Sequence, residues 1–187
     1  MHLRSLLHAA LSVAALAGPC SAVAADALGE VARLHRAGDD TAALKGADDY
    51  LSAHPKDAQM RFLKAVILGD AMRSAEAAVV LEKLTEDYPD LAEPYNNLAA
   101  LYASTGNYPK ARSALEQALR LKPGYAVAHA NLGDLYAALA AQSYAAALRL
   151  DPTLDGIAAK LAQVRQVAAP RSASPAASAA APASAPR

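Results

Sequence analysis

The sequence predicts an all-α protein built as a short array of repeated helical hairpins. Pro55, Pro89 and Pro123 are evenly spaced, and their spacing of about 34 residues is the period of a repeat made of two helices. Val, Ile and Thr are never gathered into the alternating runs that form strands. Hydrophobic residues make up 54% of the chain, yet it has no Trp and one Phe. Thin helical layers with alanine at their contacts fit this composition better than one thick core of large side chains.

The balance of charge limits the classes of partner. The chain has 18 basic and 18 acidic residues. Removing residues 1–24 takes away Arg4 alone among these, so the remainder has 17 basic and 18 acidic groups. No basic stripe is then available for nucleic acid. We therefore expect no nucleic-acid partner.

The N-terminus predicts an export signal over residues 1–24. Arg4 supplies a positive start, an apolar stretch of signal-peptide length follows, and Ala22 and Ala24 are small residues suited to cleavage. Cleavage after Ala25 is nearly as favourable. The apolar stretch is shorter than the ~20 residues that span a bilayer, which argues against an uncleaved anchor. We expect a periplasmic or secreted protein with no membrane attachment after cleavage.

Cys20 is the single cysteine of the chain, and it suggests a second interpretation of the N-terminus. The segment LAGPC resembles a bacterial lipoprotein signal, in which a small residue precedes a cysteine that becomes lipidated. Pro19 stands directly before Cys20, and proline suits this cut poorly, so we do not expect a lipoprotein. Cleavage after Ala24 would leave a chain without cysteine, which excludes disulfides and thiol catalysis.

The C-terminal residues 170–187 consist of Ala, Ser, Pro and two Arg. Such a segment buries too little apolar surface to offset the entropy of ordering its chain. We expect a disordered tail here, and the alternative is a wall-spanning or partner-binding peptide.

Residues 92–125 form the clearest repeat. Tyr95, Leu98 and Tyr102 fall on one face of a first helix at intervals of three and four. Gly106 suits the turn, and a second helix follows until a closing proline. Each helix pair leaves part of its apolar stripe uncovered, so the next pair must complete the burial.

The neighbouring repeats show the pattern less completely. Residues 24–57 retain the turn glycine, the small residue after it and the closing proline. Residues 58–91 match in the second helix, whereas the first helix is predicted to slip by about one residue and has no turn glycine. Residues 126–154 match well but lack five residues. Ala99 and Ala111 in the best repeat are predicted to let its two helices approach closely.

This pattern resembles the tetratricopeptide repeat family, and in particular its small exported members from Gram-negative bacteria. The resemblance covers roughly residues 24–154 and is strongest in 92–125. It implies a right-handed solenoid of helix–turn–helix repeats that binds a protein or peptide in a concave groove lined by the first helices. It implies no enzymatic activity and no cofactor.

The resemblance also implies a candidate partner-binding groove, which involves Glu93, Asn96, Asn97, Ala100, Asn131 and Asp134. Asn97 and Asn131 occupy equivalent places in adjacent repeats, where an amide can clamp a peptide backbone. The alternative is that these amides bond a neighbouring helix of their own chain. Members that clamp a terminal carboxylate use Lys and Arg in this groove. Here Val127 and Asn131 stand at the places of the last basic groups, which argues against that ligand.

The sequence offers no arrangement for metal binding or catalysis. His35, His54 and His129 lie outside the i, i+4 reach of a cysteine or of one another. We expect His129 to pack in the place of a bulky ring and His54 to be solvated. The carboxylate pairs at 39–40 and 48–49 are expected on a solvated face or at a helix cap, because sequence neighbours point apart on a helix.

The shortened repeat 126–154 is predicted to lack its turn. The missing residues correspond to GNYPK in the repeat before it, and the remaining stretch has no glycine, proline or polar turn cluster. Alanine and leucine favour helix, so we expect one helix from about Val127 to about Leu150 instead of a hairpin. A closing helix is expected over residues 155–169.

The functional prediction is a periplasmic adaptor or scaffold that docks another protein through its groove. The alternative is a structural protein of the cell envelope that assembles with copies of itself, since repeats need polar caps to prevent end-to-end stacking. Weak self-association belongs to this alternative.

Overall fold

The computed structural model describes residues 20–168, and the regular secondary structure in this range is entirely α-helical. Side chains are described for residues 26–167. In chain order the helices are α1 (Cys20–Arg36), α2 (Asp40–Ala53), α3 (Ala58–Asp70), α4 (Ser74–Asp87), α5 (Ala92–Ser104), α6 (Tyr108–Leu121), α7 (Ala126–Leu150) and α8 (Ile157–Ala168). The predicted all-α class is confirmed for these residues. The predicted tail and most of the predicted export signal lie outside them.

The chain divides into two compact units, of which the first ends at Tyr136 and the second begins at Ala137. In the first unit each hairpin pairs a first helix with a second helix: α1 with α2, α3 with α4, and α5 with α6. α3 also contacts α1 and α2, and α5 contacts α3 and α4. Consecutive hairpins therefore bury one another's faces, as a stacked array requires.

The helix boundaries of the first compact unit recur with the period of the closing prolines, which we call the repeat period. The first helices α3, α5 and α7 begin at residues 58, 92 and 126, and the second helices α2, α4 and α6 begin at residues 40, 74 and 108. This regularity corrects the expected slip in the repeat 58–91. α3 and α5 have the same length of 13 residues and begin in register.

A residue in the left-handed conformation forms each turn between a first and a second helix. Gly38 and Gly106 have φ values of 82° and 76°, which glycine adopts without steric cost. Met72 lies at the corresponding place of the intervening repeat and has a φ of 62°. Its side chain is 86% exposed, but its Cβ still carries the strain of this conformation. A methionine thus makes the turn for which the sequence offers no glycine.

Short polar side chains cap the starts of several helices. Asp39, Asp57 and Asn107 each accept a hydrogen bond from the backbone N–H three residues further on, which satisfies a donor that has no partner within the helix. Pro109 lies in the first turn of α6, where an N–H would have no intrahelical acceptor. These caps fix where the helices begin.

Small residues occupy the crossings of the paired helices. Ala43, Ala77 and Ala111 follow one another at the repeat period in the second helices and are fully buried. Ala65 and Ala99 are buried in the first helices α3 and α5. The largest fully buried aliphatic side chains of the same unit are Met60, Ile67, Leu68, Leu81, Leu84 and Leu115.

α7 is one continuous helix from Ala126 to Leu150, which confirms that the shortened repeat has no turn. Ala140 stands one repeat period after Gly106, and alanine does not interrupt a helix. The second compact unit holds the end of α7 and α8, a helix at the place where one was predicted, with Leu161 buried. None of the helices within residues 20–168 combines the length and apolarity that crossing a membrane requires.

Candidate functional site

The asparagines of the predicted groove form a chain of side-chain amides that joins α5 to the start of α7. Asn131 Nδ2 donates to Asn96 Oδ1 at 2.8 Å. Asn96 Nδ2 in turn donates to Asn97 Oδ1 at 3.4 Å, a long contact. The amide of Asn131 therefore bonds a neighbouring helix of its own chain, which is the structural alternative considered for it.

Asn96 and Asn97 are buried, with exposed fractions of 0% and 1%. This corrects the expectation that their side chains line an open groove. α5 contacts α3 and also bonds α7 through Asn131, so neighbouring helices cover this part of its face. Asn97 Nδ2 has no hydrogen-bond partner among the described residues. A buried donor without a hydrogen bond costs roughly 1–3 kcal/mol, so this amide group lowers the stability of the fold.

Glu93 is held in an ion pair at the start of α5. Its Oε1 accepts a hydrogen bond from Lys122 Nζ at 3.0 Å, and the same ammonium lies 4.9 Å from the centre of the Tyr125 ring. Burial raises the pKa of Tyr125 to about 12, and the negative charge of Glu93 adds to this rise. The Glu93 carboxylate is therefore available to a partner only in competition with Lys122.

The accessible part of the predicted groove is smaller than the sequence indicated. Asp134 is exposed, whereas Ala100, Asn131 and Glu93 are half-buried. These four residues form a surface that we call the first-helix surface, and it carries two carboxylates and one amide. Such groups suit the N–H donors of a peptide backbone and the cationic side chains of Lys and Arg.

Two histidines can be compared with their predicted settings. His129 is exposed, and its Nε2 lies 2.9 Å from the carbonyl oxygen of Pro123. The expectation that it packs as a core ring is wrong, because α7 continues as a helix and the repeat does not supply the second helix that would enclose it. His54 is exposed, as expected, and its ring stacks on Tyr50 with 4.4 Å between the ring centres.

His35 joins the first two repeats, a contact that the sequence analysis missed. Its Nδ1 lies 2.7 Å from Asp40 Oδ1, and its Nε2 lies 3.1 Å from Asp70 Oδ2. The separation of His35 and Asp70, one residue more than the repeat period, is the signal that would have indicated it. Asp39 caps α2 as expected, whereas its neighbour Asp40 bonds this ring. Within the described side chains, no group of three histidine, cysteine or carboxylate residues has the arrangement of a metal site.

The stacked hairpins and their first-helix surface define a helical repeat protein. Comparison with known families supports the tetratricopeptide repeat for this array, since the family model described by that name matches residues 72–124. The matched range contains α4, α5 and α6, and therefore includes all but the last residue of the repeat 92–125 that the sequence identified most strongly.

Two curated relatives share the repeats. The TPR repeat-containing protein YvcD of Bacillus subtilis (strain 168) is 38% identical over 73 residues, which cover 39% of this chain and 15% of that protein. The Hsp70-Hsp90 organizing protein of Triticum aestivum is 39% identical over 82 residues, which cover 40% of this chain and 14% of that protein. The chain thus spans 14–15% of the length of these relatives, and the similarity concerns the repeats.

Solved structures share the fold at low sequence identity. TTC0263, a thermophilic TPR protein of Thermus thermophilus, is 24% identical with a TM-score of 0.57, and the match covers 75% of this chain and 80% of that one. The first TPR of Spaghetti (RPAP3), bound to the HSP90 peptide SRMEEVD, is 17% identical with a TM-score of 0.59, and the match covers 63% of this chain and 93% of that one. These likenesses establish the fold.

Proposed function

We propose that the chain is an exported adaptor that binds a protein or peptide along the first-helix surface of its array. The observation that carries this proposal is the stacking of the hairpins, which leaves Ala100, Asn131 and Asp134 accessible on α5 and α7. Repeat arrays use such extended surfaces for binding. The similarity to an Hsp70-Hsp90 organizing protein and to a repeat domain solved with a bound peptide supports a binding role.

The accessible groups favour the body of a peptide over a terminal carboxylate. Glu93 and Asp134 are acidic, so a ligand carboxylate would meet like charge at this surface. Val127 and Asn131 stand where carboxylate-clamping members of the family place their last basic groups. We therefore propose a peptide segment that offers backbone N–H groups and at least one Lys or Arg.

The proposed location outside the cytoplasm rests on the N-terminal sequence. Arg4, the apolar stretch after it and the small residues at 22 and 24 have the order of an export signal. An adaptor exported in this way would meet its partner in the periplasm.

Retention of a partner from a cell-envelope extract tests the proposal. The mature chain is immobilised and compared with Asp134→Arg, which reverses an exposed charge on the first-helix surface. We expect Asp134→Arg to lose the partner that the parent chain retains. Glu116→Arg, an equal reversal of charge at an exposed position of the second helix α6, is the matched control and should retain it. Equal retention by both variants, with unchanged circular dichroism, would contradict the proposal.

A further inference from the structure

A furrow on the other side of α5 forms a second accessible surface in the first compact unit. Its volume is about 520 Å3, its floor includes Tyr95, Leu98 and Tyr102, and α4 and α6 form its walls. The three floor residues follow one another at intervals of three and four. They therefore share the face of α5 that points away from Asn96 and Asn97.

The floor of the furrow is mainly aromatic, and one of its two tyrosine hydroxyl groups is hydrogen-bonded within the chain. Leu98 is 4% exposed, whereas Tyr95 and Tyr102 are half-buried. The Tyr102 hydroxyl donates to Glu82 Oε1 at 2.6 Å. Burial raises the pKa of Tyr102 to about 12, and the hydrogen bond to Glu82 adds to the rise. The hydroxyl is thus satisfied within the chain, and the aromatic surface remains for an apolar contact.

The equivalent furrow over α3 is bridged by an ion pair. Lys64 stands one repeat period before Leu98, and its ammonium pairs with Asp48 of α2. Asp48 in turn stands one repeat period before Glu82. The same two places therefore hold a lysine and a carboxylate in one furrow, and a leucine and a carboxylate in the next.

Arg61 further fills the furrow over α3. It stands one repeat period before Tyr95, is only 8% exposed, and donates from Nη1 to Asp87 Oδ2 at 2.8 Å. Charged side chains of the chain itself therefore fill the furrow over α3 and pair with one another there. The floor of the furrow over α5 has neither cation and presents the rings of two half-buried tyrosines instead.

The two walls of the furrow over α5 carry opposite charges. Lys110 and Arg120 on α6 are ten residues apart, which is about 15 Å along the helix. The Lys110 ammonium lies 5.2 Å from the centre of the Tyr102 ring, and Arg120 donates to a glutamine of its own helix. Neither cation forms an ion pair within the described part of the chain. Glu82 and Glu86 line the facing wall on α4, where Glu86 also pairs with a lysine of its own helix at 3.0 Å.

We propose that this furrow is a second docking site, and that its occupant is a short amphipathic α-helix of another protein. The apolar stripe of that helix lies on the rings of Tyr95 and Tyr102, which cover the buried Leu98. Acidic side chains along one edge meet Lys110 and Arg120, and basic side chains along the other edge meet the α4 wall. The chain then holds two partners, one on each side of α5.

The lining of the furrow favours a helix over an extended peptide. The helices that enclose it satisfy their own backbone groups, so the furrow offers side chains and no row of free N–H and C=O groups. An extended peptide would leave its own backbone groups without partners there, whereas a helix pairs them internally. A helix of about three turns also matches the distance of about 15 Å between the two cations.

Binding of a designed peptide tests the proposal. The probe is a fluorescent helical peptide with a leucine stripe, glutamates along one edge and lysines along the other, and its binding to the full chain is followed by anisotropy. A second peptide keeps the charges and replaces the leucines by serine. We expect the first peptide to bind and the second not to bind. Exchanging the two charged edges is no control, because a helix laid in the opposite direction restores the match.

Variants of the chain locate the binding. Lys110→Glu combined with Arg120→Glu should weaken the leucine peptide about tenfold, since two favourable charge contacts become repulsive. Arg112→Glu combined with Arg149→Glu changes the net charge equally at exposed positions outside the furrow and should leave binding unchanged. Asp134→Arg should also leave it unchanged, which separates this site from the first-helix surface.

Three results would overturn the proposal. One is absence of binding by the leucine peptide, and another is an equal loss of affinity in the two double variants. The third is a dimer of the parent chain in sedimentation that Lys110→Glu with Arg120→Glu dissociates, since the occupant would then be a second copy.

Discussion

Met72 shows that a residue other than glycine can form the turn of a repeat, at a cost in the free energy of folding. It adopts the φ of 62° at the place where the neighbouring repeats have glycine, and its side chain is exposed. A left-handed conformation costs a non-glycine residue roughly 1–2 kcal/mol. Met72→Gly should therefore raise the free energy of unfolding by about 1 kcal/mol, after allowing for the greater freedom of glycine in the unfolded chain. Urea denaturation measures the difference.

The reverse change provides the control for this prediction. Gly106→Ala places a Cβ at a φ of 76° with no other atom nearby, so its effect isolates the backbone strain. We expect a loss of about 1 kcal/mol. If Met72→Gly instead lowers stability, the methionine side chain stabilises the turn and the strain argument does not hold.

Tyr102 gives a pH dependence whose sign can be worked out. Its pKa in the folded chain is about 12, above the value of about 10 for an unperturbed tyrosine. The folded state therefore holds this proton more tightly than the unfolded state. Its contribution to stability is complete below about pH 10 and is lost as the pH rises towards 12.

The test compares the parent chain with Tyr102→Phe, which cannot ionise. Between pH 10 and 12 the variant should lose less stability than the parent, as measured by the midpoints of urea denaturation. The other titrating groups are common to both chains and cancel in the comparison. Parallel pH profiles for the two chains would show that neither burial nor the Glu82 contact raises the pKa of Tyr102 in the folded chain.

Ala99 and Ala111 determine how closely the helices of their repeat approach. Both are buried, and the sequence had placed them at the crossing. Ala99→Leu and Ala111→Leu should each destabilise the chain by about 1–3 kcal/mol, because extra methylene groups at a packed crossing force backbone shifts. Ala75→Leu on an exposed position of α4 is the control and should change the melting temperature little. Similar melting temperatures for all three variants would contradict the close packing.

The helices were predictable where prolines and glycines in the sequence mark their ends. The closing prolines and the glycines at 38 and 106 gave the period, and the absence of a turn signal in 126–154 gave the continuous α7. The slip predicted for the first helix of 58–91 was wrong, because α3 begins one repeat period before α5. The turn glycine is absent as predicted, and Met72 forms the turn. A pattern based on glycine cannot identify a methionine whose backbone is held in the left-handed conformation by the packing of the flanking helices.

The candidate site was less predictable, because burial depends on neighbouring helices. The pattern of α5 alone places Asn96 and Asn97 on a first-helix face, but α3 and α7 decide whether that face is open. His129 gives the same lesson, since its exposure follows from the missing second helix. The furrow over α5 could have been found in the sequence by comparing positions one repeat period apart, where Lys64 gives way to Leu98.

For the whole molecule, the N-terminal sequence predicts processing during export. Mass spectrometry of the exported chain should find a first residue at Ala25, or one residue later. Ala24→Leu should impair cleavage after residue 24 because the peptidase needs a small residue there, whereas Cys20→Ser should leave processing unchanged. A mature N-terminus at a lipid-modified Cys20 would contradict the prediction.

The uninterrupted α7 also determines where such an array can lengthen over evolutionary time. Duplication of a segment one repeat period long adds a hairpin whose second helix receives the next first helix, as α4 receives α5. α7 passes residue 140 without turning, so its repeat has no second helix of that kind to receive another hairpin. Duplications are therefore expected to accumulate ahead of residue 126, and longer homologues should differ in the number of hairpins before the fused helix while retaining that helix itself.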